Sequence, residues 1–147
     1  TSPLHRPRQP WYQLRKRPTV VTITSIENGT FNVGTGYYSG FDGITITLDD
    51  GDTYQYGISN SQDCCETWGY TQLSEDEIAH YIGAEFLGVD QVRCDGTGSY
   101  DEGGTCFLDI KTDRGVLTAN VYNFHNGYYG HSVTVLHNGK EIQGEGV

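Results

Sequence analysis

Two histidines, His125 and His131, bracket a run of Asn, Gly and Tyr in YNFHNGYYGH (122–131). Imidazole nitrogen binds divalent metals, moves protons near neutral pH and hydrogen-bonds backbone. A carboxylate beside the pair would complete a His/His/acid set, with Glu102 the ligand and Asp101 its neighbour. Compact ligand spacing is lacking. The leading expectation is therefore that both rings bond loop backbone and shape a turn, with a divalent metal on His125, His131 and Glu102 as the alternative and no other cofactor. Asp95, Thr97, Ser99 and Asp101 recur at every second position, as in a calcium loop, but the central Gly and closing Glu of a hand loop are not in place. Tyr128 and Tyr129, beside Asn126, suit stacking and hydrogen bonding to a base, a sugar or a partner surface. The competing reading has one ring capping the core and the other solvated. Cys64 and Cys65 would need a base such as His125 to act as nucleophiles, and nothing in the sequence brings them together. No P-loop, G-x-S-x-G or H-E-x-x-H occurs, so a non-enzymatic role is expected. An oxidising compartment would pair Cys94 with Cys106; a reducing one would keep all four cysteines as thiols.

The elements that must hold these residues read as strands. GITITL alternates, with Ile44, Ile46 and Leu48 on one face, and TYQYGIS places Tyr54, Tyr56 and Ile58 together. DDGD (49–52) and Asn138-Gly139 are turn signals. Asn28-Gly29 carries the type I′ hairpin signal and is expected to end the first strand; with Thr30 it is also a glycosylation sequon. Ser74, with Glu77 three residues on, opens a short helix that stops at Gly83. A two-residue turn at Asp113-Arg114 sets Ile110 opposite Leu117, Leu108 opposite Ala119 and Cys106 opposite Val121. Continued, that register carries Glu102 towards His125. A second hairpin, closed by residues 126–130, is expected to set His125 opposite His131, Asn123 opposite Val133, Val121 opposite Val135 and Ala119 opposite His137. The fold class is mainly β: an antiparallel sheet or sandwich with one short α-helix and an extended N-terminal arm.

The charge is divided unevenly. Arg6, Arg8, Arg15, Lys16 and Arg17 are five of the nine basic residues, all four prolines lie within 1–18, and no acid precedes Glu27. The arm carries +5. The remaining four bases against nineteen acids leave −15 on the body, and together they give the net −10. The expected organisation is a basic arm, 1–18, on a single acidic β-rich domain, 19–147. An acidic body is a poor phosphate binder, whereas the arm suits an anionic partner. No apolar run approaches the roughly 20 residues that span a bilayer. The chain contains no Met, so it is expected to have lost at least its initiator.

DCCETWGY (63–70), IGAEFLGV (82–89) and YNFHNGYYGH after the T-x-R-G turn (112–115) resemble a family of small uncharacterised proteins of bacteriophage and some bacterial genomes. The resemblance covers roughly residues 40–138. It implies a phage or bacterial origin and a compact β-rich fold, and it transfers no catalytic residue. Cys64, Cys65, Glu66, Trp68, Asn123, His125, Asn126, Tyr128 and His131 are the matching positions where a shared site is expected.

Two functions follow. In the leading one the chain is a structural subunit of a virion or extracellular filament. Its arm docks on a neighbouring acidic body, with Trp11, Tyr12 and Leu14 as apolar anchors and the Arg and Lys residues at the rim. In the other it is a phage-encoded binding protein in the host cytoplasm that captures a host protein, nucleic acid or nucleotide signal.

Overall fold

The computed structural model describes residues 20–36, 39–61, 67–96, 104–124 and 130–147. Ten strands and one helix follow in order: β1 Ile23–Asn32, β2 Gly40–Leu48, β3 Thr53–Ser59, β4 Thr67–Tyr70, α1 Glu75–Tyr81, β5 Phe86–Val89, β6 Arg93–Gly96, β7 Gly104–Thr112, β8 Gly115–Phe124, β9 Ser132–His137 and β10 Lys140–Gly146. They form two antiparallel sheets. The first has the order β1-β2-β3-β9-β10; the second is β4-β8-β7-β5, with β6 also on β7. The chain is therefore mainly β. No helix among the described residues is long and apolar enough to cross a membrane.

Alternation builds the core. Ile44, Ile46 and Leu48 of β2, and Tyr54, Tyr56 and Ile58 of β3, turn inward onto Leu108, Ile110, Leu117, Ala119 and Val121 of the second sheet. The Tyr54 and Phe86 rings lie 4.9 Å apart. Tyr56 donates its hydroxyl hydrogen to the Cys106 carbonyl at 2.7 Å, tying the sheets through the interior. Burial pushes the Tyr56 phenol well above its usual range, so it stays a donor.

The sheets cross steeply. β4 reaches from His131, beside β9, to Asn28 of β1: Trp68 stacks on His131, and Asn28 exchanges two side-chain hydrogen bonds with the Leu73 backbone. The β5–β6 edge runs from Ile23 of β1, whose N–H bonds Ala84 O, to Gln143 of β10, whose amide bonds both Val92 and Asp90. Each edge of the second sheet thus spans the width of the first, as in orthogonal packing.

The local signals form as their chemistry dictates. Ser74 Oγ accepts from the Glu77 N–H while Glu77 Oε1 accepts from the Ser74 N–H, a complete capping box. The Asp113-Arg114 turn gives the expected register, Ile110 opposite Leu117 and Cys106 opposite Val121. Asn138 and Gly139 both take positive φ between β9 and β10.

Two expectations are corrected. Asn28-Gly29 is no turn: both residues lie inside the ten-residue β1, and the chain reverses after Asn32. The Asn28 amide, held on Leu73, is also committed internally. The hairpin expected between β8 and β9 does not form. β8 already has both edges occupied, by β4 and β7, while β9 lies in the other sheet between β3 and β10. Asn123 consequently faces Trp68 and Gly104 rather than Val133, and Val133 faces Ile58 and Glu145.

Candidate functional site: a corner where three motif segments meet the sandwich

The flanks of three motif segments converge. Segment 62–66 joins β3 to β4, 97–103 joins β6 to β7 and 125–129 joins β8 to β9. In the second sheet Thr67 pairs with Phe124, Gly104 with Asn123 and Gly96 with Gly104, so all three segments begin or end on adjacent rows. In the first sheet the same corner holds Ser59, His131 and Val147.

His131 is the keystone of this corner and is only 5% exposed. Its Nδ1 lies 2.6 Å from the Ser59 carbonyl oxygen. A carbonyl only accepts, so the proton sits on Nδ1. Ser59 Oγ, 3.3 Å from the same nitrogen, accepts in turn from the Ser132 N–H. The imidazole stacks on Trp68 with centroids 4.9 Å apart and planes 30° apart. Its backbone exchanges hydrogen bonds with Val147 in both directions. Asn123 is fully buried, and its Nδ2 donates to the main-chain oxygen of Val147 at 3.0 Å. One chain of contacts, Ser59–His131–Val147–Asn123 with Trp68 on top, therefore pins the two sheets together where the motif segments leave them.

Aromatic surface flanks this base. Phe124 is half exposed and stacks on Tyr122 at 5.5 Å, and Tyr122 in turn lies over Gly69, where a Cβ would stand 3.0 Å from the phenol oxygen. Cys94 and Cys106, directly opposite on β6 and β7, are joined by a disulfide that closes the segment holding residues 97–103.

Of the residues singled out in the sequence, the structure brings together His131, Asn123 and Trp68. Cys64, Cys65, Glu66, Asp101, Glu102, His125, Asn126, Tyr128 and Tyr129 lie outside the described residues, as does the whole arm with Arg6, Arg8, Trp11, Tyr12, Leu14, Arg15, Lys16 and Arg17. Asp95, of the calcium-like spacing, sits in β6 opposite Thr105. Among the described residues no three His, Cys, Asp or Glu side chains gather as a metal set. Ser59 and Val147 escaped the sequence reading. Neither type signals a site, and the partners that engage them, His131 and Asn123, lie distant in the chain.

The electrostatics of the body are as informative as the corner. It has four basic side chains, Arg93, Lys111, Arg114 and Lys140. Arg93 pairs with Asp109 at 3.3 Å and lies 4.7 Å over the Phe107 ring. Lys111 pairs with Asp90 at 3.5 Å. Arg114 lies along the surface, its Nη1 donating to the His80 and Ile82 carbonyls. Burial raises the Asp109 carboxyl, but the Thr118 hydroxyl, Arg93 and Lys111 outweigh it and hold the group below the usual carboxylate range.

Residues 19–135 match the family described as "Domain of unknown function (DUF7448)". No curated protein and no solved structure matches the chain.

Proposed function

The chain belongs to this family of unknown function, and we propose that it serves as a non-enzymatic structural subunit whose basic arm docks on the acidic body of a neighbouring copy. The observation that carries this reading is the commitment of the body's cations. Three of its four basic side chains are held by partners on the same body, so the large acidic excess is not neutralised from within. The counter-charge in the chain is the arm, with five cations and no acid. Eighteen residues reach about 60 Å when extended, far enough to cross to another copy. An arm rich in Pro and Arg gains burial only by lying on a folded surface, and Trp11, Tyr12 and Leu14 are the side chains that would supply it. The motif resemblance favours a bacteriophage particle or an extracellular filament as the setting.

Carbodiimide coupling on a mixture of isotope-labelled and unlabelled chains tests this. The expected product joins Lys16 of one isotopic form to an acid of the other. Coupling confined to chains of one isotopic form would place the arm on its own body and defeat the proposal.

A second reading rests on the corner. Phe124 stands half exposed beside a base tied together by His131, Ser59, Val147 and Asn123, an aromatic surface suited to contact with a partner. In that reading the protein captures a host macromolecule or nucleotide through the corner. Co-purification from host lysate that is lost on Phe124→Asp supports it; identical recoveries with the two proteins count against it.

A further inference from the structure

The register of the first sheet aligns a row of small residues across all five strands. Gly29 pairs with Gly43, Gly43 with Gly57, Gly57 with Thr134 and Thr134 with Gly144. The row lies on the outer face, because Ile44, Tyr56, Val133 and Val135 beside it turn inward. Over β3 the row is covered: the Phe31 ring folds over Gly57, stacks on Phe41 at 5.9 Å and helps to bury Leu136. At the β9–β10 side the Glu141 carboxylate lies over Gly144. There a groove of about 350 Å³ is lined by Val33, Phe41, Thr134, Glu141, Gly144 and Glu145, among others.

Three features of the groove define its ligand. Glu141 is exposed, and its carboxylate, lying over Gly144, forms an anionic wall. Phe41 and Val33 form an apolar one. Thr134, between them, is 3% exposed, and its hydroxyl has no hydrogen-bond partner. A buried hydroxyl left without a partner is a standing cost, removed when an N–H or O–H donor enters. An aliphatic stem ending in a cationic donor answers all three: the stem packs on Phe41 and Val33, the head meets the Glu141 carboxylate and the aromatic face, and one N–H faces the Thr134 hydroxyl.

We propose that the groove beside Thr134 and Glu141, at the β9–β10 end of this row, is the seat of an arginine or lysine side chain from residues 1–18 of a second copy. This rests on the self-assembly reading above and names its docking site. The arm is the segment of this chain whose charge matches the groove, and Trp11, Tyr12 and Leu14, which lie between its cations, can lie along the adjoining face.

Sedimentation velocity of the full chain across a concentration series at low salt tests it. The variants are Glu141→Gln, Thr134→Val, and Glu75→Gln as a charge-matched control away from the groove. Wild type is expected to associate, the Glu141 groove variant to weaken association severalfold, and the control to change it less than twofold. Thr134→Val is expected to weaken association severalfold while raising the urea midpoint of unfolding, a pair of opposite effects that general loss of structure does not produce. Association by the groove variant equal to wild type overturns the groove and leaves self-assembly standing. A wild-type chain that stays monomeric throughout overturns both.

Discussion

Replacing His131 tests whether the corner is the rigid base described. His131→Ala deletes a buried ring, leaves a cavity between Trp68 and the end of β9, and removes the donor to Ser59 O. Loss of a buried ring of this size costs about 2–4 kcal/mol in transfer and cavity terms. The hydrogen bond adds about 1 kcal/mol. Stacking on Trp68, worth about 0.5–1.5 kcal/mol, overlaps the cavity term, so the whole is about 3–5 kcal/mol. His131→Phe keeps the ring and the stack and loses only the donor, for about 1–2 kcal/mol. The assay is equilibrium unfolding in urea, followed by far-ultraviolet circular dichroism and by tryptophan fluorescence. The chain has two tryptophans, so a Trp11→Phe background leaves Trp68 as the reporter at the corner. Both probes are expected to report one transition. A cost below about 1 kcal/mol for His131→Ala, or an equal cost for Ala and Phe, would refute the role given to the ring.

Three further outcomes follow from the fold. Cys94→Ser/Cys106→Ser opens a disulfide of sequence separation 12, and chain entropy sets the loss of stability at about 3 kcal/mol, read as a lowered urea midpoint; an unchanged midpoint on reduction would contradict the bond. Gly57→Ala drives a Cβ to 2.5 Å from the Asp42 carbonyl and 2.9 Å from Phe31, so it costs about 1–3 kcal/mol, against near neutrality at the open Gly34 turn if Gly34→Asn is made as control. Asp109 is held below its unfolded pKa, so its contribution is present above roughly pH 4 and lost as pH falls through the folded value; Asp109→Asn should flatten the acid limb of the stability–pH curve by up to about 1 kcal/mol, and an unaltered limb argues against the Thr118 and Arg93 contacts.

What the sequence disclosed was local. The capping box at Ser74 and Glu77, the inward alternation of β2 and β3, and the two-residue turn at Asp113-Arg114 are set within a few residues, and each formed as its chemistry required. What it concealed was partnership at a distance. β8 and β9 carry the same inward alternation whether they pair or not, and only the occupied edges of β8 decide that they part. The Asn28-Gly29 signal misled because β1 runs on through it: Asn28 pairs with Ile44, Gly29 with Gly43, and the Asn28 amide is held on Leu73, partners distant in the chain. β4, four residues long, gave too short a pattern to register. The candidate sites followed the same rule. His131 was legible as a candidate, but its partner Ser59 lies 72 residues away. The groove is assembled from residues of β2, β9 and β10 with Val33 just beyond β1, and has no linear signature at all.

The self-assembly account is tested most directly by molar mass from light scattering on the full chain and on a chain lacking residues 1–18, at low and high salt. Residues 20 onward contain both sheets and their shared core, so the shortened chain retains the described fold. The account predicts that only the full chain exceeds the mass of one copy, and that salt returns it to a monomer as the arm's charges are screened. Equal masses for the two chains at every salt concentration would contradict it.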